Sequence, residues 1–205
     1  MLLLVSRTRQ WWLNTIGLLV CLLSVILSCG LTGELSDAST RTCSIRNLYP
    51  DALRIAKGWE EDAYFVGAEA LFSASGTTGY PPCTFSFRSP TTNVVGLFVV
   101  YDPAMGQFKS KWVSIAKEDP QHYPEIKESD WFIDSTEALK VAQEHSGAKF
   151  LSGRSANDLD LFLRLEKRWQ QNEQFLTVWR VSYNDLSTGQ SLNILVDALT
   201  GQVIP

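Results

Sequence analysis

Large apolar side chains alternate with other residues in two short runs near the C-terminus, and these runs predict strands. Trp179, Val181 and Tyr183 share one side of an extended chain; Leu192, Ile194 and Val196 share one side of the next. Between them, 185–189 carries Asp, Ser, Thr and Gly, a turn composition, and 197–201 (DALTG) repeats it. Asp197, Thr200 and Gly201 are therefore read as turn architecture: the carboxylate accepts backbone N–H groups and the glycine supplies a positive φ. Leu159, Leu161, Leu163 and Leu165 also keep a period of two and predict a strand despite their leucine content. With 175–183 and 192–196 it makes a three-stranded antiparallel meander.

Helical spacing appears twice. Ala52, Ile55, Ala56 and Trp59 fall on one helical face; 47–51 reads as the helix start, with Pro50 in the first turn and Gly58 near the end. Ala138, Val141, Ala142 and His145 form a second face. Asp134 and Glu137 have the spacing of a capping box, and Gly147 reads as the stop. His145 is placed near that helix C-terminus, where a cation suits the dipole. Strands are also expected within 63–75, at 84–87 and 94–101, and at 109–116.

The two halves echo one another. Asp-Ala-Leu-Arg-Ile-Ala at 51–56 matches Glu-Ala-Leu-Lys-Val-Ala at 137–142 in residue class at every position. Asp102 and Gly106 stand where Asp197 and Gly201 do, and Phe85 and Phe87 align with Val181 and Tyr183 after a one-residue shift. The other reading is a chance likeness of two hairpins. The expected fold is α+β, two small repeats, each a helix packed on an antiparallel sheet of three to four strands. The expected organisation is a signal segment over 1–28, a tether over 29–45, a degenerate first repeat over 46–116, a charged linker over 117–130 and a second repeat over 131–205.

The N-terminus reads as an address. Arg7 and Arg9 precede an uncharged apolar run, 15–27, which closes on Ile26-Leu27-Ser28-Cys29. That tetrapeptide resembles a bacterial lipobox, and the resemblance implies cleavage before Cys29 and a diacylglyceryl thioether on it. An uncleaved signal anchor over 11–28 and simple secretion are the other readings. All three place the remainder outside the cytoplasm. Of four cysteines, Cys21 lies in the apolar run and Cys29 at the lipobox. Cys43 and Cys83 remain as an even pair in an oxidising compartment, either bridged or two free thiols.

The C-terminal pattern, Trp179, Val181, Tyr183, Val196, Asp197, Ala198, Thr200 and Gly201 behind a helix at 136–145, resembles a PepSY-like domain, the module found in propeptides of thermolysin-like peptidases and in secreted bacterial proteins. The resemblance covers roughly the last seventy residues. It implies a helix on an antiparallel sheet and modulation of a peptidase, acting in trans because no peptidase domain follows.

Net charge is −4, and about −6 without the N-terminal segment, which argues against nucleic acid. The two histidines, His122 in the charged linker and His145, do not assemble with any serine or cysteine into a catalytic triad. Glu60-Glu61-Asp62 lacks the spaced ligands and glycine of a calcium loop. No cofactor, metal or enzymatic activity is expected. Trp131 and Trp169 stand in more polar surroundings than Trp179. They are the candidate exposed aromatics, against ordinary packing at element ends. The reading is a lipid-anchored, extracytoplasmic, non-enzymatic module that binds a protein or peptide. The alternatives are a structural or assembly factor of an envelope complex and, behind it, a hydrolase of wall material.

Overall fold

The first helix, α1 (Ile45–Trp59), starts at Ser44, whose hydroxyl accepts from the Asn47 N–H at 3.2 Å. Ile45, Tyr49, Ala52 and Ala56 form its buried stripe at helical spacing. The start expected at 47–51 is corrected. Pro50 lies inside the helix and forfeits one backbone bond there, which the buried stripe on either side of it outweighs. The computed structural model describes residues 44–73, 82–92, 95–114, 123–169 and 174–205. The signal segment, Cys29, Cys43, His122 and all but the last two residues of the tether lie outside them.

Eight strands follow: β1 (Tyr64–Ser73), β2 (Cys83–Arg88), β3 (Val95–Asp102), β4 (Gln107–Ser114), β5 (Leu159–Trp169), β6 (Phe175–Asp185), β7 (Ser191–Asp197) and β8 (Val203–Ile204). They form one antiparallel sheet in the order β4-β3-β2-β1-β5-β6-β7-β8. The fold is α+β, but the two sheets expected from the sequence are a single one. They meet at β1 and β5, where Ala68 faces Leu165 and Ala70 faces Leu163. Had they stayed apart, both strands would present unpaired N–H and C=O groups along an edge; pairing satisfies both rows. The second meander also gains a fourth, very short strand, β8, beside β7.

The second helical segment starts at Asp134, with the capping box to Glu137 in place. It runs as α2 (Ser135–Ala142), a π turn (Gln143–Gly147) and α3 (Ala148–Leu151). Gly147 is not the stop. It lies within the helical run, buried against the Tyr183 ring, where a Cβ would come within 2.7 Å of Cζ. Its role is close approach, and the chain leaves the helix at Ser152, followed by Gly153 with φ +76°. His145 is consequently exposed within the helical run, away from a C-terminus.

The helical segments pack on one face of the sheet. Tyr49 of α1 meets Phe65 with ring centroids 5.0 Å apart, and Phe150 of α3 meets Tyr183 at 6.1 Å. Beneath them lie Phe65, Phe85, Phe87, Leu97, Leu163, Leu165, Trp179, Val181 and Val196, each almost wholly buried. Of the two readings of Trp131, exposed aromatic or packed ring, the structure gives the packed ring, at the centre of this core. It is fully buried, edge-on to Tyr49 at 5.7 Å and to Trp179 at 6.5 Å. Polar neighbours in the chain disguise it, because 123–134 crosses the core end with only Ile126 and Trp131 fully inserted. Burial pushes the Tyr49 hydroxyl up to about 12, reinforced by the charges of Glu128 and Glu125.

Over this core the N-termini of α1 and α2 meet. The Asp134 carboxylate accepts from the Ser44 hydroxyl at 2.6 Å, the Arg46 N–H at 3.0 Å and the Ser135 N–H at 2.7 Å. Ser135 returns the contact, its hydroxyl accepting from the Ile45 N–H at 3.2 Å. One carboxylate thus serves two helix starts, each with donors that no helical carbonyl can reach.

Three turns share a construction. Asp102, Asp185 and Asp197 each accept N–H bonds from the second and third residues that follow, and Gly106, Gly189 and Gly201 complete them at positive φ. At 197–201 the bonds are 2.8 Å from Leu199 and 2.9 Å from Thr200. Asp197→Ala deletes both and is expected to lower stability by about 1 kcal/mol in urea unfolding. Asp197→Asn keeps an acceptor and is expected to lose less than half of that.

Candidate binding face

Because side chains alternate along a strand, the face turned from the helices is written in the intervening residues. It carries Arg88 of β2, Phe98 of β3, Lys109 and Lys111 of β4, Glu69 and Leu71 of β1, Arg164, Glu166 and Arg168 of β5, and Arg180 of β6. No described helix lies on it. Leu71 is 51% exposed and Phe98 37%, whereas their helix-side neighbours Ala70 and Val99 are buried.

A row of ion pairs crosses the middle of this face. Arg164 meets Glu69 at 3.3 Å and Glu166 at 3.4 Å, Arg168 reaches Glu166 at 3.9 Å, and Arg180 donates to the same carboxylate. In register, Arg164 and Arg180 stand directly opposite one another, an arrangement that repels unless an anion lies between. Glu166, 14% exposed, is that anion. Three guanidinium groups share two carboxylates, so the row carries spare N–H donors and a net positive charge for an incoming carboxylate or peptide carbonyl.

Beside the row lies a basin of about 200 Å³, bounded by Val66, Glu69, Arg88, Phe98, Tyr123 and Arg164. The Arg88 guanidinium sits 4.2 Å from the centre of the Tyr123 ring, which holds that charge at the rim. Charged and aromatic groups around a shallow floor suit a side chain or chain end of a partner better than a deeply buried small molecule. On the helix side, Ile55, Trp59, Val95, Leu97 and Trp112 line a wider and more open groove of about 750 Å³ next to the β4 edge.

The expected site residues fall in different places. Asp102 with Gly106, and Asp197 with Thr200 and Gly201, are in turns at the sheet's margins and form no common site. Cys83 is fully buried at the head of β2, while Cys29 and Cys43 lie outside the described residues. Trp169 is exposed at the end of β5. Of the acidic run 60–62, Asp62 accepts from the hydroxyls of Ser89 and Thr91, both at 2.5 Å, and so ties the start of β1 to the turn after β2. Among the described residues no group of three or more His, Cys, Asp or Glu side chains gathers at metal-binding distance, and no helix is long and apolar enough to cross a membrane.

The row around Glu166 is the feature that sequence reading missed. Alternation along β5 does put Asp160, Phe162, Arg164, Glu166 and Arg168 on one side. The pairing with Glu69, distant in sequence, depends on the β1–β5 junction.

Electrostatics also shape one margin. The Asp185 carboxylate accepts from the Ser187 hydroxyl at 2.6 Å, from the N–H groups of Ser187 and Thr188, and from Arg154 at 2.9 Å. The Ser187 hydroxyl first, then the Thr188 and Arg154 bonds, hold it well below the usual carboxylate range. Asp62 is lowered too, chiefly by the hydroxyls of Ser89 and Thr91. A depressed folded-state pKa contributes stability that is present above the unfolded value, about 4, and is lost as pH falls through the folded value. Urea midpoints are expected to hold from neutral pH to about 5 and to fall below about 4. Asp185→Asn should flatten that acid limb; an unchanged limb would place its origin elsewhere.

No family model, curated protein or solved structure matches the chain.

Proposed function

We propose that the chain is a lipid-anchored, extracytoplasmic, non-enzymatic module that holds a protein or peptide on the open face of its sheet. The observation that carries this reading is the asymmetry of that sheet: eight strands with every described helix on one side, and on the other the cationic row of Arg164, Arg168 and Arg180 beside exposed Phe98 and Leu71. A face free of described helices that mixes guanidinium groups with aromatic and aliphatic side chains has the composition of a protein-binding surface.

In the same reading the module is a tandem of PepSY-like units. Support comes from the element order, a helix and four antiparallel strands in each half, and from a strand order that is symmetric about the β1–β5 junction. Cys29 carries the lipid. Cys83, buried at the head of β2, is paired with Cys43, which directly precedes Ser44 in the chain. A peptidase is one partner that the resemblance suggests.

The test is a photo-crosslinking amino acid at Phe98 in the full-length protein in its own cells, with Lys140 on the exposed side of α2 as the control position. A reproducible protein adduct from position 98 that is absent from position 140 is expected. Equal adducts at both positions, or none at 98, would remove the open face from consideration.

A further inference from the structure

A second surface lies on the opposite side of the molecule, at the end of the sheet where β5 stops and β6 begins. Four of the nine exposed large apolar side chains of the described residues gather there: Phe132, Trp169, Phe175 and Leu199. A chain of contacts links them. The Phe132 N–H donates to the Ala198 carbonyl at 2.8 Å, immediately before Leu199. The Ala198 N–H donates to Thr177 at 3.0 Å, and Thr177 shares the helix-side face of β6 with Phe175. Phe175 packs edge-on to Trp169 with centroids 4.8 Å apart. By strand parity all of β6's contribution points to the helix side, away from the cationic row.

The chain enters the fold at this same surface. Ser44 bonds to Asp134, and the Arg46 guanidinium donates to the carbonyls of Trp131 and Phe132 and lies 5.4 Å from the Phe132 ring. Ser44 is the first described residue and is hydrogen-bonded to Asp134, two residues after Phe132. If Cys29 is the lipid-bearing residue, fourteen residues separate it from Ser44. Fourteen residues reach about 50 Å at full stretch. That reach bounds how far Ser44, and the apolar end next to it, can stand from a lipid on Cys29, and makes a weak contact effectively intramolecular.

We infer that Phe132, Trp169, Phe175 and Leu199 form a seat on the bilayer interface, into which Trp169 and Phe175 at the hairpin end insert at headgroup level. This rests on the reading of Cys29 as the anchor. Trp and Phe at the paired ends of β5 and β6 suit the interface, where an apolar ring is half-dehydrated. The contact is apolar in character. The nearby carboxylates are already engaged, Asp130 with Lys167 at 2.7 Å and Asp134 with two helix starts. Seated in this way, the molecule turns its open sheet face outward to partners.

The test uses the full-length protein purified from its own membrane and placed in phosphatidylcholine–phosphatidylglycerol vesicles with acyl chains brominated near the headgroup. Quenching of tryptophan fluorescence is expected. It should drop at least threefold in Trp169→Phe, stay unchanged in Trp112→Phe, and persist when salt is raised to 1 M. The pair Phe132→Asp with Leu199→Asp, which keeps Trp169, should also drop quenching at least threefold, with circular dichroism confirming the fold. Quenching that is absent, that survives loss of Trp169, or that disappears in high salt overturns the seat. So does a Trp169 crosslink in cells that goes to protein in place of lipid. Mass spectrometry of the mature N-terminus reads the anchor separately. A lipidated Cys29 without quenching leaves the anchor and removes the seat; quenching on an unlipidated chain does the reverse.

Discussion

Replacing Asp134 by alanine is expected to lower the unfolding free energy by about 3 kcal/mol. An ordinary N-cap serves one helix, and its loss costs about 1 kcal/mol. Asp134 serves two. At its own helix it accepts from the Ser135 N–H and from the N–H of Glu137 in the capping box. Across the junction it accepts from the Ser44 hydroxyl and the Arg46 N–H. Alanine leaves these donors facing the top of an aromatic core, beside fully buried Ile45 and Ser135, where water replaces the carboxylate poorly. Two helix N-termini also approach one another with their positive dipole ends together, so the carboxylate screens a repulsion as well. Asp134→Asn keeps one acceptor oxygen and is expected to recover about half of the loss. Urea unfolding of the three proteins at neutral pH gives the comparison. A loss of 1 kcal/mol or less in the alanine variant would mean that α1 is held by burial alone, with no contribution from the shared cap.

The same junction explains what could and could not be read from the chain. The capping box of Asp134 and Glu137 was legible because its partners are three residues apart, and the alternating leucines of β5 were legible because burial on one face imposes a period of two. The turn aspartates were legible for the same local reason. The start of α1 was not. Ser44 and Ile45 owe part of their order to Asp134 and Ser135, ninety residues away. Trp131 stayed open between exposure and packing for a related cause: a single inserted ring in a polar segment has no periodicity to betray it. The merging of the two meanders depends on β1 and β5 having complementary free edges, which composition does not encode. The Glu166 row inherits that limit. Half of it is written in β5, and the other half arrives from Glu69 and Arg180 through register.

Gly147→Ala is the second large effect, with an expected loss of about 3 kcal/mol, the upper end for overpacking by one methyl group. A Cβ there would overlap the Tyr183 hydroxyl, lie 2.7 Å from its Cζ and lie 2.9 Å from the Ala142 carbonyl oxygen. The ring cannot retreat easily. It is fully buried between Phe150 on the helix side and its strand neighbours Leu161 and Leu192. Nor can the helix, which already widens into a π turn over this ring. The Tyr183 hydroxyl is itself buried without a hydrogen-bond partner among the described residues, and burial pushes its pKa up. Tyr183→Phe alone therefore removes a desolvated polar atom and is expected to leave stability unchanged or raise it by about 1 kcal/mol. Combined with Gly147→Ala, it should restore part of the loss, because the nearest clash disappears while those with Cζ and Ala142 remain. A double-mutant cycle in urea reads this coupling directly. Additive effects, or a destabilising Tyr183→Phe, would show that the hydroxyl holds a bond in solution, with a bound water as its nearest candidate partner.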